Sequence, residues 1–587
     1  MTLSNYPLKW QILQPKIARS QYISLDNTIT YIDCFATVQE RLYYGLNLLL
    51  TTRAKAPIMI IKSPESAVYF TLFQHVLSGL KTRTQEKKDM LYGGRYEINE
   101  QIVNWYPAQT IQDNFASNGG VYQAEWIEHH HLFGCVRVYQ SKILLSPGLV
   151  HRANGGVLIL SIRTLLEQPL MWFRLKKILI YQTYEWYANN EHQPLPLDIP
   201  SMPMYLRLLL LGERETLEEF QTLDAEAAST SLYSEFEDTI EILNDLTLMH
   251  WRRWVQNVVA SLPCPTLDAT FWPVLIHEGA RWTGDQGLLP LDLDWIRMQI
   301  QETMSHAKGG IITGEHLEQA INSRMWREGF LSEKILNNII HEQVYIDTKG
   351  EVIGQINALS IIEYPGHPRA FGEPLRISCV VHVGDGELND VERKAALGGN
   401  IHSKGLMIIQ SWLMSVLQLD QQMPFSASLV FEQSYAEVDG DSASLAALCA
   451  LISALSLQPI NQKIAVTGSL DQFGNVQAVG GINEKIEGFF HICNQRTLTG
   501  NQGVIIPSTN IRHLSLQQDV IHAVRNKKFY LWAVSSVEEA IVLLTGIALQ
   551  DQDNPSLLGL IRTRITKCTM QDSQRRRGPL HWLSCLR

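Results

Sequence analysis

Along this chain short unbroken apolar runs give way to helix-spaced patterns and then to strict alternation, and each rhythm predicts a different kind of element. The runs in APIMIIKSP (56–64), LVHRANGGVLILSIRTLL (149–166) and YLRLLLLG (205–212) have the length of buried strands, with helix-forming stretches between them. Strands alternating with helices predict a parallel α/β domain over about 56–250. Residues 251–343 read as helices, the last of them GEHLEQAINSRMWREGFLSEKILNNIIHEQ with Thr313 as its cap. From about 344 apolar and polar residues alternate around glycine turns, in VYIDTKGEVIGQINALSIIEYPG and RISCVVHVGDGEL, as antiparallel strands do. A helix at 404–419, a strand at 426–431, a hairpin through Gly474–Asn475 and an alternating α/β pattern to about 546 complete this region. Residues 1–55 are a mixed N-terminal segment. Residues 551–587 read as a polar, irregular tail with Arg575, Arg576 and Arg577 as a solvated cluster.

Composition works by exclusion. At 587 residues the length suggests about three or four domains, and a 45% hydrophobic content is enough for large cores. A net charge of −10 argues against a general nucleic-acid binder. The eight cysteines include no C-x-x-C pair, which suits a reducing cytosol and excludes a disulfide framework and a structural zinc site. The start MTLSNYPLKWQILQPK lacks a signal pattern, and no apolar run reaches membrane-spanning length. A cytoplasmic protein with no membrane or nucleic-acid partner is expected. His129, His130 and His131 are adjacent, so they point apart on any regular element, and no spaced acidic or sulfur ligand accompanies them. No metal site is expected.

The candidate chemistry lies in the C-terminal third. A strand to Phe431 leads into a loop with Gly440, Asp441 and Ser442, followed at once by a small-residue helix. Asp441 reads as the N-cap and Ser442 as a first-turn hydroxyl, facing free backbone N–H groups that favour an oxyanion. A serine nucleophile needs a base, and no histidine stands near it in the sequence. Lys485 can serve if it is neutral near pH 7: Asn483 would cap its helix, and Ile482, Ile486, Phe489 and Phe490 would exclude water. The alternatives, a structural cap and a surface lysine, stay open on spacing alone. Upstream, the strand at 56–64 is followed by Lys62-Ser63-Pro64-Glu65, without the glycines of a phosphate loop, and the buried strand at 157–160 by Ser161-Ile162, without an acidic pair for magnesium. Arg281 reads either as a phosphate sensor or as a solvated helix charge.

FEQSYAEVDGDSASLAALCALISAL, AVTGSLDQFGNVQAVGGINEKIEGFF and QGVIIPSTNIRH resemble the proteolytic domain of the Lon family of serine proteases, most closely its LonB-type branch. The Gly-Asp-Ser-Ala-Ser loop holds Ser442, and Gly-Gly-x-x-x-Lys is matched by Gly480, Gly481 and Lys485, with 43 residues from serine to lysine. Weaker likeness runs through RANGGVLIL, EGARWTGDQ, GEVIGQINALSI and GNIHSKGLMI. The resemblance implies an α/β multidomain chain: an AAA+-like P-loop module over 56–250, a helical lid-like domain over 251–343 and an α+β Lon proteolytic domain over 344–550. It implies Ser442 as nucleophile, Lys485 as general base and acid, Thr467 holding the lysine amine, and Asp441 restraining the loop. It also implies a ring, most simply a homo-hexamer, acting on unfolded or damaged proteins. The chain departs from the family at Lys62, Ser63 and Ser161, so no cofactor is expected for peptide cleavage and ATP is doubtful. Two alternatives stand beside this reading: an ATP-dependent protease with an atypical nucleotide site, and a non-proteolytic ring-forming binding or assembly factor.

Overall fold

The computed structural model describes residues 7–576 except 17–29, 52–56, 84–91, 100–101, 111–112, 114, 118, 140–141, 189–194, 196, 264–265, 385, 419–424, 435–438 and 552–554. The chain divides into two compact units, one of residues 23–264 and 290–300, the other of 1–22, 265–289 and 301–587.

The first unit is built on the apolar runs. β1 (Ile58–Lys62), β2 (Val121–Ala124), β3 (Val157–Ser161), β4 (Arg207–Gly212) and β5 (Leu232–Glu235) form one sheet in the order β5-β1-β4-β3-β2, every neighbouring pair parallel. β3 is buried at all five positions, as a central parallel strand covered on both faces must be. Helices α1 (Ala67–Arg83) and α2 (Ile162–Glu167) follow β1 and β3. This is the α/β module expected from the pattern.

The second unit begins with helices α3 (Phe271–Thr283), α4 (Gly314–Glu328) and α5 (Phe330–Ile340). Thr313 does cap α4, accepting from the His316 amide, and the single long helix read from the sequence breaks at Gly329. The helical stretch does not stand as a unit of its own: 265–289 and 301–343 belong with the residues that follow. After it come β6 (Gln355–Ile362), β7 (Phe371–Val383), β8 (Leu388–Asp390), α6 (Asn400–Leu417), β9 (Phe425–Glu432), α7 (Ser444–Ser456), β10 (Ile464–Val466), α8 (Ile482–Gln495), β11 (Gln502–Pro507), β12 (Phe529–Val534), α9 (Val537–Thr545) and α10 (Leu557–Arg576). The sheet order is β8-β9-β7-β6-β10-β11-β12. The β6–β7 and β7–β9 pairs are antiparallel, and β6–β10, β10–β11 and β11–β12 are parallel.

Alternation along these strands divides the interior into two cores. Ile356, Ala358 and Ile505 pack with α7, whereas Leu359, Val504 and Ile506 pack with α8 on the opposite face. All thirteen residues of α7 are buried, which its run of Ala, Ser and Leu permits. The region after 551 is not irregular throughout: Leu557, Leu558 and Ile561 of α10 are buried against the α7 core, at the i, i+1, i+4 spacing of one helix face. Arg564 donates to the Ala454 and Leu455 carbonyls at 2.6 and 2.9 Å, satisfying orphan acceptors at the end of α7. The helical backbone runs to Arg576; the side chains of Arg575 and Arg576, and all of Arg577, lie outside the described residues.

Candidate active site

Helices on opposite faces of a sheet bring their ends together only beyond a strand terminus, and β10 supplies that terminus. The chain leaves β10 through Thr467 and Gly468. The Gly468 amide donates to the Ser442 carbonyl at 2.9 Å, and the Leu445 amide donates back to the Gly468 carbonyl at 3.1 Å. This two-way link fixes the turn before α7 against the strand end. A Cβ on Gly468 would stand 2.9 Å from Val476 and 3.0 Å from Leu445, so the close approach depends on glycine.

Lys485 reaches the same point from α8. Its Nζ lies 3.1 Å from Ser442 Oγ and donates to it, closing the pair expected from the sequence. Ser442 is half-buried, while Lys485 is only 3% exposed. Ile482, Ile486, Phe489 and Phe490 are all buried around it. Burial drives the Lys485 amine from the usual 10.5 down to about 8, against the pull of the Asp441 and Glu484 carboxylates, which favour the ammonium form. The half-neutral amine is thus a base of suitable strength at mildly alkaline pH.

Three neighbours differ from the sequence reading. Asp441 is not the N-cap of α7: that position is Ala443, and the Asp441 carboxylate instead accepts from the Ser469 hydroxyl at 2.7 Å. Ser442 therefore sits in the turn before the helix. Neither its own amide nor that of Ala443 makes a hydrogen bond among the described residues. Asn483 is not the cap of α8 either; it lies inside the first turn, with its side chain bridging the His513 carbonyl and the Ser515 amide at 2.9 and 2.8 Å. Gly481 holds the cap position at φ 61°, a left-handed conformation that favours glycine. Gly480 and Gly440 have open space where a Cβ would stand. Thr467 donates its hydroxyl to the Ser442 carbonyl at 3.3 Å, not to the lysine amine, so it steadies the Ser442 backbone. Residues 435–438, within the quoted nucleophile segment, lie outside the described residues.

Arg281 is neither a phosphate sensor nor a solvated charge in this structure. Its guanidinium grips Glu487 with both nitrogens, at 2.5 and 3.0 Å, and donates to the Ser515 carbonyl at 2.6 Å. Glu487 lies two residues beyond Lys485, so the pair ties α3 to α8. β7 also presses close to this helix: a Cβ on Gly372 would lie 2.0 Å from the Glu484 carbonyl oxygen and 2.8 Å from the Lys485 Cα. Gly372 is a close-approach position that the sequence offered no motif to find.

At the strand ends of the other unit, the corner after β1 is filled. The Glu65 carboxylate accepts from the Thr216 hydroxyl at 3.1 Å, from the Arg163 amide at 3.3 Å and from the Ser161 hydroxyl. Ser63 is fully buried and its amide donates to the Gly212 carbonyl at 3.0 Å. A phosphate cradle needs free amides and a positive field. This corner presents a carboxylate, which opposes a phosphate and already engages the Ser161, Thr216 and Arg163 donors. The residues do not fit a nucleotide phosphate. His129, His130 and His131 begin a short helix, His129–Phe133, and are not among the residues that could hold an ion together. No helix among the described residues is long and apolar enough to cross a membrane.

Comparison with known proteins agrees with both units. Residues 124–231 match the LonB-like AAA domain, and 433–545 match the Lon protease (S16) C-terminal proteolytic domain. A Lon protease homolog of Escherichia coli (strain K12) is 51% identical over 94% of this chain and 93% of its own length. One from Haemophilus influenzae is 41% identical over 95% and 93%. An archaeal Lon protease of Pyrococcus abyssi is 25% identical over 76% of this chain and 43% of its own length.

Proposed function

The chain belongs to the Lon protease family and carries its S16 serine peptidase domain, and on that premise we propose that it cleaves peptide bonds with a Ser442–Lys485 dyad and without hydrolysing ATP. The observation that carries the dyad is the 3.1 Å approach of the buried Lys485 amine to Ser442 Oγ. Neutral Lys485 takes the Oγ proton as Oγ attacks the peptide carbonyl carbon. The amides of Ser442 and Ala443 receive the developing oxyanion, a contribution worth roughly 10²–10³ in rate per donor. The ammonium then returns its proton to the leaving amine, and the acyl-serine is hydrolysed by a water that Lys485 deprotonates.

The reading without ATP rests on the filled corner at Glu65. Pulling apart a native domain requires several kcal/mol. A peptidase without a motor therefore acts on peptides and on unfolded or loosely folded proteins. By family resemblance the working form is a ring, most simply of six copies, with the active sites inside. The test is degradation of fluorescent casein by the purified chain, with Ser442→Ala as control. Cleavage by the wild type alone supports the proposal; two equally inert proteins would favour a binding or assembly role.

A further inference from the structure

Beside the Ser442 loop three ligand-type side chains converge. Asp390 closes β8, Glu392 lies in the helical turn Val391–Lys394, and His402 lies in the first turn of α6. All three are buried, at 8%, 4% and 5% exposure, and one ligand atom from each lies within 4.8 Å of the others. His402 Nε2 stands 3.3 Å from Asp390 Oδ2 and 3.4 Å from Oδ1. Two ligands held about 2.1 Å from a tetrahedral ion stand about 3.4 Å apart, so this edge already has the spacing of a coordination sphere.

The hydrogen bonding is incomplete in a telling way. Glu392 Oε1 accepts from the Phe431 amide at 2.7 Å, which orients the carboxylate, while its Oε2 has no hydrogen-bond partner. Asp390 Oδ2 also has no donor of its own, and both the His402 ring and the Glu392 carboxyl stand against the Asp390 carboxylate. No lysine or arginine among the described residues forms an ion pair with either acid. Two buried carboxylates with unfilled oxygens are costly unless a cation neutralises them.

We propose that Asp390, Glu392 and His402 bind one divalent transition-series cation, Zn²⁺ or Mn²⁺, the ions suited to one imidazole and two carboxylates. The ion ties the β8 end and the first turn of α6 together beside the nucleophile loop. His402 lines a small cavity with Gly440, Asp441 and Ser444, and the neighbouring Ile401 amide donates to Asp439 Oδ1 at 3.0 Å. The site's role is to hold the approach to Ser442 in place; it does not touch the reacting atoms.

The test uses the full chain, stripped with a chelator and titrated with ZnCl₂ and separately with MnCl₂ in a calorimeter. One equivalent of at least one ion should bind. The affinity should fall by at least about a hundredfold in His402→Ala and Glu392→Gln, since loss of an outer-shell partner alone costs 10–100-fold. The exposed pair His130→Ala/His131→Ala should bind as the wild type does. If the site variants fail to fold, anomalous scattering from wild-type crystals soaked in ZnCl₂ decides, with a peak expected among the three side chains. Absence of stoichiometric binding by both ions, unchanged affinity in both site variants, or a peak elsewhere overturns the proposal. None of these readouts depends on peptide cleavage.

Discussion

Two strand-end corners of this chain hold hydroxyls and charges at close quarters, and they treat them in opposite ways. At the corner after β1, Glu65 gathers Ser161, Thr216 and the Arg163 amide, and each donor finds its acceptor inside the protein. At the turn before α7 the Ser442 hydroxyl has one partner among the described residues, Lys485, and the Ser442 and Ala443 amides make no bond there. The first corner gathers its donors around a carboxylate. The second is left short of partners, and its lysine is held away from water at a cost to folding. On the proposed reading, unfinished bonding marks the reactive corner and fuller pairing the inert one.

The largest effect should come from removing the base. Lys485→Met should lower peptide hydrolysis by about 10⁴-fold or more, as loss of an acid–base partner does in serine peptidases. Lys485→Arg should be equally inactive, because guanidinium stays protonated. Lys485→Met should also stabilise the fold at pH 7. The depressed folded value of about 8 means the buried ammonium is disfavoured below that pH, and the cost vanishes only as pH rises toward 10.5. A gain on the order of 1–3 kcal/mol is expected in denaturant melts at pH 7, shrinking above pH 10. An active Lys485→Arg enzyme would break the contrast between the two corners.

The pH profile follows with a smaller range. Activity requires the neutral amine, so kcat/KM should rise about tenfold per unit below pH 8 and level off above it. Asp441→Asn removes a carboxylate that favours the ammonium, so its rising limb should move to lower pH. A limb unmoved by that change would mean that another group titrates.

The approach of Lys485 to Ser442 was legible because each half sits in a local motif: Gly-Asp-Ser-Ala-Ser specifies its own turn, and Gly-Gly its own left-handed cap. The strand alternation likewise announced two differently covered faces. What stayed hidden depends on partners far away in sequence. Asp441 looks like a helix cap until Ser469 arrives, 28 residues later, and Arg281 looks solvated until Glu487 arrives, 206 residues later. Asp390, Glu392 and His402 fall on three elements with no ligand spacing, so only packing assembles them. In α10 the buried Leu557, Leu558 and Ile561 are followed by many polar residues, which masked the helix.

The two signature glycines offer a finer probe of the open corner. Gly481 is left-handed at φ 61°, so Gly481→Ala should cost about 1–2 kcal/mol and reduce kcat roughly tenfold by shifting the first turn of α8. Gly480 has open space for a methyl group, with nothing within 4 Å of where its Cβ would stand, and no left-handed strain. Gly480→Ala should therefore stay within about 0.5 kcal/mol of wild type. Equal effects at both positions would show that the motif acts through substrate contact and not through backbone geometry.

The smallest effect should be that of nucleotide. Millimolar Mg–ATP should change peptide hydrolysis by less than about twofold and give no binding heat, because the corner after β1 offers a carboxylate where a phosphate would need free amides. Glu65→Gln tests whether charge alone closes it. The substitution sets an amide NH₂ against the Ser161, Thr216 and Arg163 donors, so stability should fall by about 1–3 kcal/mol through unsatisfied groups. Removing the negative charge creates no glycine loop, and Ser161 still stands where a magnesium-binding acid is required, so ATP turnover should stay at background. ATP hydrolysis by the wild type that Glu65→Gln abolishes would make this corner a working nucleotide site, and the two corners would then differ in chemistry and not in openness.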